Sequence, residues 1–193
     1  MCGAYKGEGL GNKFLSHIRE VDAIVHVVRC FEDENIVHVD GSVDPARDVE
    51  TIGIELIFAD LETVEKRIDR TRKAAKGDKQ LMGEVELLER AKAHLEAGKP
   101  IRTMQADEKE KEMLRGMFLL TTKPVIYAAN ISENDIGKAD NALVDALKKA
   151  VAHENAEVIT ICAQVEEEIA ELSPEEKQAF IEELGIGESG LDK

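Results

Sequence analysis

Apolar positions follow two different patterns along this chain. Short apolar runs rich in β-branched residues at 23–31 ("AIVHVVRCF"), 125–131 ("VIYAANI") and 156–163 ("AEVITICA") predict strands. The first is nearly all apolar, which predicts a strand covered on both faces, and the third predicts a second buried strand. Because strands alternate with helical spacing after residue 124, the pattern predicts an α/β protein with a parallel sheet.

The middle of the chain has the spacing of helices. Asp44 is a suitable N-cap and Pro45 a suitable first residue for a helix whose apolar positions step by three and four from 49 to about 76. Two further stripes cover 81–95 and about 107–119. We expect a charged helical hairpin or coiled-coil arm that interrupts the sheet. The alternative is that these are ordinary helices packed against the sheet.

Local signals also place helices at the two ends of the chain. The Gly-rich stretch "GEGLGN" reads as a loop that enters a helix with apolar positions at Phe14, Ile18 and Val21. Near the other end, Ser173 and Glu176 have the spacing of a capping box around Pro174, and Gly185 predicts where that helix stops. Another helix is expected within 139–152.

Composition limits the classes of function. The 193 residues carry a formal net charge of −15, so general nucleic-acid binding is not expected without a local basic patch. Three cysteines lie far apart and form no CxxC pair, which is typical of reduced thiols in a cytosolic protein. No apolar run is long enough to span a membrane, and the histidines have no metal-site spacing. We therefore expect a cytoplasmic protein without a membrane or metal site.

The strongest candidate chemistry lies where two predicted strands end. "NISE" at 130–133 stands where guanine-nucleotide proteins carry Asn-Lys-x-Asp, but Ile131 replaces the Lys and the longer Glu133 replaces the Asp. Asn130 can still pair with adenine, its carbonyl accepting from N6 and its amide donating to N7. Taken alone, Asn130 and Glu133 are better explained by the ordinary closing of a strand, because an N-x-x-E spacing occurs by chance in many proteins.

The neighbouring strand ends in small residues. "ICAQ" (161–164) would let backbone N–H groups approach a base, and its alternative interpretation is a tight strand-to-helix turn. Two adjacent parallel strands ending in these motifs would form one crevice, at the edge of the sheet where α/β proteins bind ligands.

Two other motifs suggest a phosphate loop and a calcium loop, but neither has the required spacing. "KGEGLGN" has the glycines of a phosphate loop, but no strand precedes it and no Gly-Lys-Ser/Thr follows. "DGSVDPARDVETIGIEL" has acidic residues without the ligand spacing of a calcium loop, and it reads better as a capped helix.

Together, several strings resemble the YchF/Obg-like ATPase family of P-loop nucleotidases over almost the whole chain from Lys6. They are "KGEGLGNKFLSHIREVDAIVHVVRCFED", "HVDGSVDPARDVETIGIEL", "ADLETVEKR", "NISE" and "ELSPEEKQAF…ESGLDK". The resemblance implies a nucleotide-binding G domain with a helical coiled-coil insertion, which prefers ATP to GTP, uses Mg²⁺ and associates with ribosomes. It implies G-domain parts at 1–60 and 123–193 and the insertion at 61–122.

The resemblance also implies site residues. Asn130 and Glu133 fall on the motif that replaces the guanine-reading one, and Ile131 falls where the family contacts adenine. Cys162, Ala163 and Gln164 fall on the last base-contacting loop. The family's P-loop is not found in these 193 residues, "MCGAY" does not match its Asp-x-x-Gly segment, and its C-terminal TGS domain is missing.

These departures leave two hypotheses for function. The first is an ATP-binding protein, of a family that hydrolyses ATP and more weakly GTP, represented by a central fragment with no identifiable catalytic or Mg²⁺-binding residue. The second is a non-catalytic interaction module whose helical arm binds a partner. If neighbouring strands are missing, the strand at 23–31 is expected to have an open edge that either self-associates or is covered by the N-terminal residues.

Overall fold

The computed structural model describes residues 9–33, 41–78, 81–138, 141–185 and 188–190. The N-terminal part of the Gly-rich stretch, the string at 34–40 and the last three residues therefore lie outside the described residues. The chain divides into two compact units, one formed by 1–24 and 50–124 and the other by 25–49 and 125–193.

The first unit is helical. It contains α1 (Gly9–Glu20), most of α2 (Pro45–Ala75), α3 (Met82–Glu96) and α4 (Glu108–Arg115). The second unit carries the sheet. It contains nearly all of β1 (Ile24–Arg29), then β2 (Val125–Asn130), α5 (Ala142–Val151), β3 (Glu157–Ile161), α6 (Ala163–Glu171) and α7 (Pro174–Glu183).

The three strands form one sheet in the order β1-β2-β3. β2 and β3 are parallel, with Asn130 paired to Ile161 at their carboxyl ends. β1 is parallel to β2 as well, since the Ile24 N–H donates to the Pro124 carbonyl and, six residues on in both strands, the Cys30 N–H donates to the Asn130 carbonyl. The predicted α/β fold with a parallel sheet is thus confirmed, and all three strand ends meet at one edge.

The predicted burial of the outer strands is wrong. Val25 and Val27, on one face of β1, are 61% and 57% exposed, and β3 is only half-buried. Both strands lie at the ends of the sheet order, where each has a neighbouring strand on one side only within the described part of the chain. An apolar run therefore predicted the strands correctly but not what covers them, because cover comes from other elements.

The helical unit contains the predicted hairpin. α2 and α3 are antiparallel, since Arg67 in the second half of α2 binds Glu84 at the start of α3, while Glu65, earlier in α2, binds Lys92 near the end of α3. Their shared core contains Val64, Ile68, Leu88, Ala91 and Leu95, among others. The predicted end of α2 near residue 76 is confirmed, because α2 ends at Ala75.

The third predicted helix is shorter than expected. α4 ends at Arg115 rather than near residue 119, because Gly116 follows it and Phe118 takes a left-handed backbone conformation with φ of 55°. The chain then places Leu119 and Leu120 in the core.

Local caps agree with the sequence. The Ser173–Glu176 capping box is present with Pro174 in the first turn, and Gly185 follows the end of α7 with φ of 68°. α6 was not predicted as a separate helix. None of the helices in the described ranges is both long and apolar enough to cross a membrane.

Candidate functional site

The ends of β2 and β3 lie side by side. Their ladder continues one step past the strands, where the Ile131 N–H donates to the Ile161 carbonyl at 2.9 Å. This brings the segment after β2, with Ile131 and Glu133, next to the segment after β3, with Cys162, Ala163 and Gln164. The structure therefore places the six predicted site residues at one edge of the sheet.

Asn130 joins the two segments. Its side-chain Oδ1 accepts a hydrogen bond from the Ala163 N–H at 2.9 Å. Because a backbone N–H can only face an acceptor, this bond fixes the orientation of the amide, with Oδ1 turned toward α6. Among the described residues, Nδ2 of Asn130 has no hydrogen-bond partner. Oδ1 of the amide thus links the ends of β2 and β3, while Nδ2 can donate a hydrogen bond to a ligand.

The start of α6 supplies further donors. Cys162 is the N-cap of α6 but makes no side-chain capping bond, and its carbonyl accepts from the Glu166 N–H at 2.9 Å. Since the first N–H groups of a helix have no partner within the helix, those of Gln164 and Val165 can bind an acceptor. The side chains of Ala163 and Gln164 are exposed, whereas Cys162 is buried.

The segment after β2 presents one carboxylate and hides one apolar side chain. Glu133 is exposed and begins a short 3-10 turn, Glu133–Asp135. Hydrogen bonds from Ser132 and then Lys138 lower the pKa of Asp135, so its carboxylate stays ionised as part of this turn. Ile131 is only 7% exposed, so little of its side chain is available to a base.

The end of β1 completes this edge. Cys30 is fully buried, and its N–H donates to the Asn130 carbonyl at 2.7 Å. Burial, and then the negative charge of Asp48, raise the pKa of the Cys30 thiol to about 11. The thiol is therefore neutral and behaves as a small buried side chain.

Two residues of this region were missed by sequence reasoning. Glu166 lies one turn into α6, and its Oε1 accepts from the Gly190 N–H at 2.6 Å. No local pattern signals this contact, because the two residues are 24 positions apart, and the string that contains Gly190 indicated a family resemblance but no site.

No family model matches this chain. It is 55% identical over 193 residues to "Ribosome-binding ATPase YchF" of Bacillus subtilis (strain 168), an alignment that covers 99% of this chain and 53% of that protein. The chain is homologous to the YchF proteins over nearly its whole length. Its YchF relatives include that of Escherichia coli O157:H7, 46% identical over 192 residues.

Two further matches support the YchF homology. "Obg-like ATPase 1" of Oryza sativa subsp. indica is 45% identical over 187 residues, covering 95% of this chain and 48% of that protein. A solved structure titled "Structure of the Schizosaccharomyces pombe YchF GTPase" superimposes with a TM-score of 0.86 at 36% identity and covers 99% of this chain and 53% of that one. The predicted resemblance is confirmed, and the chain spans about half the length of the curated YchF relatives it matches.

Proposed function

We propose that this chain forms the base-binding part of a purine-nucleotide site that prefers ATP to GTP. The observation that carries the proposal is the Asn130 side chain, whose Oδ1 is bound to the Ala163 N–H while its Nδ2 has no partner among the described residues. The YchF and Obg-like relatives are named as ATPases, which also supports a preference for ATP.

The residues present fit an adenine base. Nδ2 of Asn130 can donate to N7, which is an acceptor in both purines. Oδ1 has two lone pairs, so it can accept from N6 of adenine while it keeps its bond from the Ala163 N–H. Guanine carries an acceptor, O6, in that place, and the residues that usually read guanine are replaced here by Ile131 and Glu133. Because the bond from N6 is the one that guanine cannot make, and a single hydrogen bond contributes about 0.5–1.5 kcal/mol, the preference for adenine should be about two- to tenfold.

Replacing one atom of Asn130 separates ligand binding from strand closure. Asn130→Asp keeps an oxygen to accept from Ala163 but exchanges the free donor for a carboxylate oxygen that repels N7. We expect adenosine and ATP to bind at least about fivefold more weakly, corresponding to the loss of about 1 kcal/mol. Titrations followed by amide chemical shifts would measure both affinities. Equal affinities in Asn130→Asp and the unchanged protein would contradict the proposal.

A second variant tests base choice. Ile131→Lys combined with Glu133→Asp rebuilds the guanine-reading pattern and should move the preference toward guanosine and GTP. The matched control is Lys148→Ala, an exposed residue of α5. If the double variant and the unchanged protein show the same ratio of adenosine to guanosine affinity, the assignment of 130–133 to base reading is wrong.

We propose further that these 193 residues do not hydrolyse ATP by themselves. Phosphoryl transfer depends on a phosphate-binding loop and its Lys, on Mg²⁺ and on switch residues that hold the γ-phosphate and water. No such motif is present in the sequence. Mg²⁺ would assist phosphate transfer when bound, but Asn130, Glu133 and the start of α6 are suited to the base and not to that metal.

A second candidate function is supported by the helical hairpin. We propose that the hairpin binds a partner in the cytoplasm. The partner we propose is the ribosome, because the YchF relatives are named as ribosome-binding proteins. Lys66, Arg67 and Arg70 lie on one side of α2 beside a groove of about 570 Å³ that Met113 and Met117 also line. Lys66 is paired with Glu62 and Arg67 with Glu84, so Arg70 is the cation of this groove whose charge is most available to ribosomal phosphates.

The ribosome proposal can be tested by sedimentation. Arg70, which forms no ion pair with another described residue, can be reversed to Glu with little effect on folding. Arg70→Glu should reduce co-sedimentation with ribosomes and weaken its dependence on salt. Lys148→Glu, an exposed change of the same charge on α5, is the control. Equal co-sedimentation of both variants would argue against the hairpin as the ribosome-binding surface.

A further inference from the structure

The segment 188–190 is packed tightly against the elements that carry the candidate base site. Ser189 is 1% exposed, and the Gly190 N–H donates to Glu166 Oε1 at 2.6 Å. A Cβ added at Gly190 would lie 2.5 Å from Ile161 Cγ2 and 2.9 Å from Glu166 Oε1. Both distances are shorter than van der Waals contact, so only glycine fits without displacing its neighbours.

The two residues that Gly190 touches support the two halves of the site. Ile161 is the last residue of β3, and its carbonyl accepts from the Ile131 N–H. Glu166 closes the first turn of α6, and this turn begins at Ala163, whose N–H is held by Asn130. Gly190 therefore contacts Ile161, which is hydrogen-bonded to the segment after β2, and Glu166, which belongs to the first turn of α6.

The Glu166 carboxylate has few other supports. Its second oxygen, Oε2, is buried and has no hydrogen-bond partner among the described residues. Burying an unpaired carboxylate oxygen is unfavourable, so the bond from Gly190 to Oε1 is a main reason for the side chain to stay in this position. If the segment 188–190 moves away, Glu166 is expected to turn to solvent and the first turn of α6 to loosen.

We propose that the contact between Gly190 and Glu166 positions the first turn of α6, so that the seating of 188–190 controls how well the site holds an adenine base. Glu166 and Gly190 are positioning residues in this arrangement, and the proposal rests on the adenine site proposed above. Its consequence is that anything that pulls 188–190 off the sheet weakens adenine binding without touching a base-contacting residue.

Amide hydrogen exchange of the unliganded protein tests the positioning directly. In Gly190→Ala we expect the Ala163 and Ile131 amides to exchange at least about tenfold faster, while amides in the middle of β2 keep their rates. The matched control is Gly83→Ala on α3, where an added Cβ meets nothing within 4 Å. Titration with adenosine should then give at least about threefold weaker binding to Gly190→Ala than to Gly83→Ala.

Two variants of Glu166 provide a second route. Glu166→Gln keeps an oxygen for the Gly190 N–H and should retain slow exchange at Ala163, whereas Glu166→Ala should reproduce the effect of Gly190→Ala. Unchanged Ala163 and Ile131 exchange in both Gly190→Ala and Glu166→Ala would overturn the proposal, as would an equal loss of protection throughout the sheet. If adenosine does not bind the unchanged protein, the adenine site fails, but the exchange rates still decide the positioning.

Discussion

Asp60 provides the sharpest test of what holds the helical unit together. This side chain of α2 is completely buried, and its carboxylate accepts from the Leu120 N–H at 2.8 Å and from the Thr121 N–H and Oγ1 at 2.7 Å each. Arg19 of α1 lies 3.4 Å away. One carboxylate thereby ties α1 and the segment 120–122, which leads into β2, to α2.

The cost of removing this carboxylate follows from the donors left behind. Asp60→Ala deprives two buried backbone amides of their acceptor, at about 1–3 kcal/mol each, which gives about 2–6 kcal/mol. Arg19 keeps its bond to the Phe118 carbonyl, and the desolvation cost of the carboxylate is removed, so the middle of this range is expected. A loss of about 3–5 kcal/mol with a urea slope of about 2 kcal/mol/M lowers the unfolding midpoint by about 1.5–2.5 M.

Urea unfolding followed by far-UV circular dichroism measures this change. Glu62→Ala, two positions along α2 at an exposed site, is the matched control and should leave the midpoint unchanged. Asp60→Asn keeps one acceptor oxygen and should fall between the two. If Asp60→Ala unfolds at the same urea concentration as Glu62→Ala, the bonds to Leu120 and Thr121 do not stabilise the fold.

Three further predictions concern reactivity, turnover and association. Because the pKa of Cys30 is raised from 9.0 to about 11, its alkylation near pH 8 should be about a hundredfold slower in the folded protein than in guanidinium, and equal rates would contradict this. The stability that comes from keeping this thiol neutral should be complete below about pH 9 and fall progressively as the pH rises from 9 to 11. The chain should show no ATPase activity above background, and turnover that survives repurification and disappears in Asn130→Ala would refute this. Self-association through the edge of β1 should fall in Val27→Lys but not in Met82→Lys, as measured by sedimentation velocity.

The features predicted correctly from sequence are those determined by nearby residues. The capping box at Ser173 needs only the three residues that follow it, and the end of α2 needs only the polar stretch after Ala75. The cover on β1 depends on which elements pack against the sheet, so the apolar run at 23–31 could not predict that Val25 and Val27 are exposed. The motif at 130–133 predicted the place of the candidate site, because α/β proteins commonly bind ligands at the carboxyl ends of their parallel strands.

Asn130 was predicted either to close a strand or to hold a ligand, and its observed bond to the Ala163 N–H is compatible with both roles. An amide side chain has one acceptor and one donor end, and folding uses only the acceptor, to hold the Ala163 N–H across 33 positions of sequence. No local pattern could reveal this bond, since it exists only when β2 and β3 lie side by side. The bond also fixes where the donor points, which leaves Nδ2 available for the purine acceptor that we propose. A side chain that only closed a strand would tolerate Asn130→Asp without consequence, whereas one held ready for N7 of a purine would not.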